Sequence, residues 1–377
     1  MDSELLCPHY DIEKSRFIIP DMSWRSLNAL KNSNFWTKLT NWEFWPFEVV
    51  YTPIFFYWIW LSIRARSLFF FSSSNPGIEY GGMLGESKYK IHISLPQEYA
   101  PVTIYVQKRT SLEEVKIGMR ENGLLYPVIL KPDIGERGWM VAKIQSDEEL
   151  KDYLGINPVD FLVQEYIDLP VELGVFYYRY PNQKEGQVTS IVKKKMLEVT
   201  GNGKDSIRIL MSTNPRARLQ LSTFENDHAK MLDQVPAIGE NIELMPIGNH
   251  CRGTTFLNAN SLINDELSRK FDDLSNKIDG FYFGRFDIRC NSEQDLGQGN
   301  FKIMELNGAG SEPGHIYHPG SGLFAAYISI ISHLKALFEI SRENKKRGFA
   351  YMTFSEGLNF IKRVRAYNKL KTVNWED

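Results

Sequence analysis

Two short runs in the C-terminal third of the chain constrain its fold most. Both alternate apolar and polar residues, FGRFDIR at 283–289 and FKIMELNG at 301–308. Such alternation has the period of a β-strand, whose successive side chains point to opposite faces. Each run therefore collects its polar side chains on one face. These side chains are Arg285, Asp287 and Arg289 in the first run and Glu305 and Asn307 in the second.

Pairing of the two strands would create a candidate metal site. It would gather Asp287, Glu305 and Asn307, which are all oxygen donors. Mg²⁺ suits a set of this kind, in which protein carboxylates and nucleotide phosphates share the ion. The alternative interpretation is structural, because paired strands joined by salt bridges between arginine and acid use the same residue types.

A lysine at a strand end is a candidate phosphate ligand. The run VILKP at 128–132 has the character of a buried strand, and the glycine-containing segment 133–138 follows it. The ammonium group of Lys131, together with backbone N–H groups of this segment, would suit phosphate oxygens. On its own, a lysine at this place is more often simply a surface residue.

A third segment carries candidate nucleotide contacts. Gln164, Glu165, Tyr166 and Ile167 lead out of a strand-like run, and Glu172 follows seven residues after Glu165. The backbone of such a linker can face an adenine edge, and a carboxylate beyond it can accept hydrogen bonds from both ribose hydroxyls. Simple solvent exposure is the alternative for either acid.

Taken together, these segments resemble the ATP-grasp superfamily, and within it the carboxylate–amine ligases. Lys131, the linker at 165–172 and the set Asp287, Glu305 and Asn307 follow the order and approximate spacing of that family. The layout is similar to that of D-alanine:D-alanine ligase. The resemblance implies an α+β fold in which two α+β lobes enclose ATP.

Two local motifs add a second resemblance, to cyanophycin synthetase and related amino-acid ligases. They are the segments 199–207 and 249–254. In those enzymes the first motif follows a basic strand beside the phosphates, which implies that Lys193 and Lys195 bind the nucleotide. Alternation directs Lys194 to the opposite side, and the sequence leaves open which side faces the nucleotide.

The family resemblance also implies the chemistry. It predicts that ATP and Mg²⁺ activate a carboxylate as an acyl phosphate, which an amine then attacks with release of ADP and phosphate. Lys88 is expected to be an earlier phosphate-binding lysine, with Lys90 as its neighbouring competitor. Lys131 and Arg285 are expected to act in catalysis, Arg285 by stabilising the transferred phosphate and then an oxyanion.

The loop at 307–319 is expected to form the acceptor side of the cleft. Glu312 is a candidate for holding an ammonium group, and His315 is a candidate base or hydrogen-bond partner. Arg289 is a further candidate substrate contact. A glycine-rich loop with surface histidines is the alternative. Competing functions are a phosphotransferase on the same fold and a nucleotide-binding, membrane-associated protein without turnover.

The N-terminal part of the chain is rich in aromatic residues. Residues 44–63 are apolar apart from Glu48, but Pro46 and Pro53 interrupt the run and make it short for a membrane span. Three interpretations stand: a buried helix of an N-terminal α/β domain, a helix at a membrane interface, or a span. We expect domains at 1–85 (aromatic-rich), 86–170 (small lobe), 171–340 (large lobe with metal and substrate loops) and 341–377 (a basic helical tail).

Composition limits the class of protein. The chain has 377 residues and a formal net charge of −2, which argues against a general nucleic-acid binder. Cys7, Cys251 and Cys290 are widely spaced without CxxC pairs, which favours a reducing cytoplasm over a disulfide framework. The expected partners are ATP and small carboxylate and amine substrates. Contact with the inner face of a membrane through the aromatic segment, and a homodimer, are left open.

Overall fold

The computed structural model of the protein describes residues 33–136, 138–245, 248 and 250–370. Within them the chain forms antiparallel sheets of four, five and two strands with covering helices, which confirms the predicted α+β class. Parts of four predicted regions lie outside the described residues: 1–32 of the first domain, Arg137 of the glycine-containing segment, Asn249 of the motif at 249–254, and 371–377 of the tail.

The regular elements are numbered in chain order. The helices are α1 Asn34–Thr40, α2 Phe47–Ala65, α3 Lys88–Ser94, α4 Leu112–Glu121, α5 Asp147–Ile156, α6 Ile207–Thr213, α7 Pro215–Arg218, α8 Leu221–Asp227, α9 Ala229–Leu232, α10 Asp265–Asn276, α11 Glu293–Gln298, α12 Leu323–Lys346 and α13 Phe354–Leu370. The strands are β1 Thr103–Val106, β2 Val128–Pro132, β3 Ala142–Ile144, β4 Phe161–Glu165, β5 Val171–Tyr178, β6 Gln187–Lys195, β7 Leu197–Thr200, β8 Asn241–Met245, β9 Thr255–Asn258, β10 Phe283–Cys290 and β11 Phe301–Asn307.

The first sheet has the strand order β1-β4-β2-β3 and lies within the predicted small lobe. Helices α4 and α5 cover its apolar face, and α4 begins with a capping box between Ser111 and Glu114. Leu130 of β2 is buried in this core. Because side chains alternate along a strand, the neighbouring Lys131 points to the other face of the sheet.

The second sheet has the order β11-β10-β5-β6-β9. Helix α10 covers one face, where Leu267 and Phe271 pack with Phe286 and Ile288 of β10. The residues between them on β10 therefore project from the opposite face, which carries most of the polar side chains singled out above. The two-stranded sheet β7–β8 and helices α6 to α9, which connect its strands, form a separate small core; these elements lie between β6 and β9 in the chain.

The aromatic N-terminal segment packs on the body of the protein. Its described residues, 33–85, form helices and turns without a strand. Leu61 of α2 and Phe70 share one core with Phe338 of α12 and Phe360 of α13. This core joins the predicted N-terminal domain to the predicted large lobe and tail.

Buried polar side chains fix this segment to distant parts of the chain. The side-chain oxygen of Asn75 accepts the backbone N–H groups of Tyr282 and Phe283 at 2.8 and 2.9 Å, and its amide donates to the Phe283 carbonyl at 2.9 Å. The hydroxyl of Ser73 donates to the carbonyl of Ala350 at 2.9 Å. The bonds of Asn75 satisfy backbone groups at the start of β10, which would otherwise be buried unpaired.

Among the helices of the described residues, α12 alone is long and apolar enough to cross a membrane by length and composition. Its side chains Ala336, Leu337 and Phe338 are buried in the core shared with α2. Helix α2, which contains most of the apolar run at 44–63, does not meet the same test.

Candidate active site

A cleft of about 1940 Å³ lies between the two sheets. Its charged part is lined by Lys131 of the first sheet and by the polar face of the second. Its aromatic part is lined by Tyr51 and Trp58 of α2 and by Phe360 of α13. The cleft therefore joins a charged compartment to a largely apolar one.

Two lysines and Glu305 meet at the charged end. Lys131 donates to the side-chain oxygen of Gln164 at 3.0 Å and to the carbonyl of Met304 at 3.1 Å. Lys88 forms an ion pair with Glu305. Burial lowers the pKa of Lys131 to about 8, with a further contribution from the charge of Lys88. Burial acts to raise the pKa of Glu305, but the two lysines outweigh it and hold that pKa at about 2.

The N-terminus of α3 holds Lys88 in this position. The carboxylate of Asp133, from the glycine-containing segment, accepts the Ser87 hydroxyl at 2.8 Å and the Tyr89 N–H at 2.9 Å. The competitor Lys90 instead pairs with Glu79 at 2.5 Å on the exposed side. The structure thus directs Lys88 rather than Lys90 into the charged end.

Pairing of β10 and β11 gathers the predicted metal residues. Asp287 lies opposite Glu305, and Arg285 lies opposite Asn307. Arg285 donates to both oxygens of Asp287 at 3.0 Å, and the amide of Asn307 donates to one of them at 3.1 Å. Burial acts to raise the pKa of Asp287, but the charges of Arg285 and Lys194 lower it, so the carboxylate stays ionised.

A third lysine joins this cluster from β6. Lys194 lies 3.0 Å from Glu172 and 3.3 Å from Asp287, and its side chain is almost fully buried. Burial acts to lower the pKa of Lys194, but the two carboxylates raise it. Arg289 contacts the other oxygen of Glu172 at 2.9 Å. The ribose ligand predicted at Glu172 therefore lines the cleft with both oxygens already paired to cations.

Three predicted nucleotide ligands lie away from the cleft. Lys193 pairs with Glu293 at 2.7 Å, and Lys195 pairs with Glu198 at 3.3 Å. Alternation along β6 places both on the face opposite Lys194, which is the lysine of this strand that lines the cleft. The carboxylate of Glu165 accepts the backbone N–H of Val102 at 3.0 Å, outside the cleft.

The rest of the predicted linker does line the cleft. Gln164, Tyr166 and Ile167 contribute to its wall. The ammonium of Lys143 lies 3.8 Å from the ring centre of Tyr166, a cation–π contact. Alternation of side chains along the strand explains why Gln164 and Tyr166 line the cleft and Glu165 does not, because Glu165 points to the opposite face.

The donor set fits Mg²⁺ by its chemistry. No group of three or more His, Cys, Asp or Glu side chains suited to a metal occurs among the described residues. Asp287, Glu305 and Asn307 offer two carboxylates and an amide oxygen. Such a sparse oxygen set suits Mg²⁺, which keeps waters and binds nucleotide phosphates together with one or two carboxylates.

The loop at 307–319 makes a close contact with the N-terminal segment near its start. The N–H groups of Ala309 and Gly310 donate to the carbonyls of Gly81 and Gly82, both at 2.9 Å. Gly82 has a φ of +73°, and a Cβ there would lie 2.7 Å from the Cα of Gly308. A side chain at residue 82 would therefore push the loop away from the site.

Glu312 lies in the aromatic part of the cleft. It accepts hydrogen bonds from the hydroxyls of Tyr51 and Tyr317, the latter at 2.7 Å, and its carbonyl accepts Arg285 at 3.3 Å. His315 belongs to the same loop but does not line the cleft, and its Nδ1 lies 2.6 Å from the Ser190 hydroxyl. Burial lowers the pKa of His315, so the imidazole is neutral.

Three residues of this cleft were not among the predicted site residues. The prediction named Lys193 and Lys195 rather than Lys194, and Tyr51 gave no signal, because its partner Glu312 lies 261 residues away in the chain. Glu86 also lines the cleft, and one of its buried carboxylate oxygens has no hydrogen-bond partner among the described residues. Its position two residues before Lys88 was the available signal.

No protein-family model matches the chain, and no curated protein matches it in sequence. Solved structures that resemble it include the bifunctional glutathione synthetase from Pasteurella multocida, with 16% identity over 65% of this chain and 35% of that chain and a TM-score of 0.33. The VanG D-Ala:D-Ser ligase from Enterococcus faecalis has 13% identity over 71% of this chain and 62% of that chain, with a TM-score of 0.38. The D-alanine–D-alanine ligase from Bacillus anthracis, complexed with ATP, has 14% identity over 69% of this chain and 68% of that chain, with a TM-score of 0.40.

These three proteins are ligases or synthetases by name. The chain spans only about a third of the length of the Pasteurella enzyme. At such identities and TM-scores the likeness carries no inference about activity.

Proposed function

We propose that the protein is an ATP- and Mg²⁺-dependent ligase that activates a carboxylate as an acyl phosphate and couples it to an amine. The observation that carries this proposal is the convergence of partly buried cations at one end of the cleft. The cations are Lys88, Lys131, Lys194 and Arg285.

The charge balance of this end supports a polyanionic ligand. Arg289 joins these four cations, and the carboxylates that pair with the five are Asp287, Glu305 and Glu172, which neutralise only part of the positive charge. Burial raises the pKa of a fourth acid nearby, Glu86. In a partly dehydrated cleft, such an excess attracts anions strongly. The lowered pKa of Lys131 has the same origin, because burial and the neighbouring Lys88 both disfavour its charged form. A triphosphate would supply the missing negative charge.

The adjoining wall supports a nucleoside. The backbone of residues 165–167 is proposed to face the adenine edge, beside the ring of Tyr166. Glu172 is proposed to accept the ribose hydroxyls, since each carboxylate oxygen can accept more than the one bond it already has. Lys194 and Arg289 would hold that carboxylate in place during binding.

The reaction uses charge stabilisation rather than a protein nucleophile. Oxygen of the substrate carboxylate attacks the γ-phosphorus of ATP, and the bond to the ADP oxygen breaks. Lys88 and Lys131 hold the phosphate oxygens during this transfer. Mg²⁺ bound by Asp287, Glu305 and Asn307 would neutralise charge on the phosphates.

The second step joins the amine. Its nitrogen attacks the acyl carbon of the acyl phosphate, and phosphate leaves as the C–O bond breaks. Arg285 lies between Asp287 and the carbonyl of Glu312, where it would stabilise the tetrahedral oxyanion. Glu312 is proposed to hold the ammonium form of the amine before it loses a proton.

ADP release with Mg·ATP tests the proposal directly. Purified protein is given a panel of amino acids, small carboxylates and amines, and the ligase predicts release that requires both a carboxylate and an amine. The double variant Asp287→Asn, Glu305→Gln should lose this release. The matched control Glu148→Gln, Asp152→Asn changes two exposed carboxylates of α5 and should retain it.

Product analysis separates the alternatives. Phosphate that stays on a product would identify a phosphotransferase, and nucleotide binding without turnover on any pair would identify a non-catalytic binding protein. Glu312→Gln should raise KM for the amine at least tenfold and leave nucleotide binding unchanged. An unchanged KM would remove Glu312 from the amine site.

A further inference from the structure

Helix α2 is apolar on two opposite sides. Val50 and Ile54 are buried, and together with Trp58 they line the cleft. On the outer side Phe56 is 66% exposed and Ile63 is 70% exposed. A helix that is apolar all round is normally buried or in contact with lipid, and this one is buried on one side only.

An apolar stripe connects the two sides. Phe47, Tyr51, Phe55, Ile59 and Ile63 follow one another at intervals of four residues, so they form a row that turns slowly around the helix. Phe47 lines the cleft while 59% of it is exposed, and it stacks on Tyr51 at 4.2 Å. The row therefore begins beside Glu312 in the cleft and ends on the outer surface.

The neighbouring helix extends the apolar surface. Helix α12 packs on α2, and the hydroxyl of Tyr327 donates to the carbonyl of Val50 at 2.9 Å. Phe324, Ile328 and Ile331 of α12 are exposed at intervals of three and four residues. Exposed apolar residues of this number on two packed helices are typical of an interaction site rather than of ordinary surface.

The charges beside this surface are mainly basic. Arg64 lies 4.7 Å from the ring centre of Trp60, and Arg66 is exposed just after the helix. Lys335 continues the exposed stripe of α12. The acidic side chains nearby are Glu48, at the opposite end of α2, and Glu339. Exposed Trp, Phe and Ile next to arginine are typical of surfaces that enter the headgroup region of a bilayer.

The geometry points to an anionic lipid bilayer as the partner of this surface, and to an amphiphile taken from that bilayer as the amine substrate. The outer side of α2, with Phe56, Trp60 and Ile63, enters the headgroup region. The apolar chain of the amphiphile lies along Phe47 and Tyr51, which brings its amine to Glu312. The substrate part of this inference rests on the proposed ligase function, whereas lipid binding does not.

Vesicle binding tests the inference with the full chain. Sedimentation is measured with vesicles of phosphatidylcholine alone and with vesicles that contain about 30% phosphatidylglycerol. A basic side chain near an anionic surface strengthens binding about fivefold, so Arg64, Arg66 and Lys335 together should favour the anionic vesicles on the order of a hundredfold. High salt should remove this preference.

Two pairs of variants give a matched comparison. Phe56→Glu, Ile63→Glu should weaken vesicle binding at least tenfold. The control Leu125→Glu, Ile238→Glu places the same charges at side chains that are 80% and 84% exposed elsewhere, and it should bind like the parent. Neither pair lines the cleft, so both variants should bind Mg·ATP normally.

The outcomes separate this inference from the ligase proposal. Normal nucleotide binding without vesicle binding would overturn the lipid partner alone. Vesicle binding that is unchanged in Phe56→Glu, Ile63→Glu would also overturn it. A dimer that this variant converts to a monomer would show that a second copy covers the surface. Equal activity on a short soluble amine and on an amine-bearing lipid in vesicles would overturn the amphiphilic substrate.

Discussion

Raising the pH through the pKa of Lys131 should weaken nucleotide binding. Phosphate oxygens require the charged ammonium, and its pKa of about 8 makes it about nine-tenths charged at pH 7 and about one-tenth charged at pH 9. The affinity should therefore fall about tenfold over these two units, or about 1.4 kcal/mol. Glu305, with a pKa of about 2, does not titrate in this range.

Calorimetry measures this effect in two ways. Titrations with Mg·ADP at several pH values give the affinity, and buffers of different ionisation enthalpy give the number of protons taken up. Binding should take up about half a proton at pH 8 and nearly one at pH 9. Lys131→Gln should remove both the slope and the proton uptake, whereas Lys151→Gln, an exposed lysine of α5, should preserve them.

The stability of the free protein should change in the opposite direction. The unfolded chain binds a proton at Lys131 up to its ordinary pKa of 10.5, so between about pH 8 and 10.5 it holds more protons than the folded chain. The Lys131 contribution to the free energy of unfolding therefore rises with pH in this window.

An affinity for Mg·ADP that stays constant from pH 7 to 9, without proton uptake on binding, would refute the role given to Lys131.

Three substitutions test other parts of the structure. Lys194→Met should weaken nucleotide binding roughly tenfold or more, since it removes a charge-assisted contact. The control Lys195→Met changes a lysine on the opposite face of β6 and should bind the nucleotide normally. Equal losses of affinity in both variants would contradict the assigned face. Ser111→Ala should lower the free energy of unfolding in urea by about 1 kcal/mol without a change in m-value, because the capping box of α4 is lost. Gly82→Ala should lower the free energy of unfolding by about 1–2 kcal/mol or more in the same assay, and it should also reduce turnover. The reason is that the positive φ and the contact with the loop at 307–319 both oppose a side chain. A variant with normal stability and turnover would show that the loop adjusts freely.

The sequence was most informative where local periodicity and local partners coincide. The strands that carry Asp287 and Glu305 were predicted from alternation, and their observed pairing brings the two carboxylates opposite each other. Lys131 was likewise predicted from a strand end, and the structure directs it into the cleft. In each case a neighbouring apolar residue is buried on the other face, so parity assigned the polar side chain correctly.

Parity alone was insufficient on β6. Its run of three lysines offers a charged residue to both faces, and only the packing of α10 and α11 decides which face is the cleft. Lys193 accordingly meets Glu293 of α11, while Lys194 meets Asp287. The site around Glu312 was harder still, because its tyrosine partner on α2 lies 261 residues away. Contacts over such distances leave no periodic signal in the sequence.

The long-range attachment of the N-terminal segment also has a consequence for synthesis of the chain. The hydrogen bond from Ser73 to the Ala350 carbonyl cannot form until residue 350 has been synthesised, 277 residues later. At typical ribosomal rates that interval lasts on the order of 15 to 55 seconds, and for most of it neither α12 nor α13 has been made to cover the inner side of α2. The nascent chain is therefore an obvious client for chaperones at the ribosome. A message truncated before residue 336 should yield aggregates rather than a smaller folded protein.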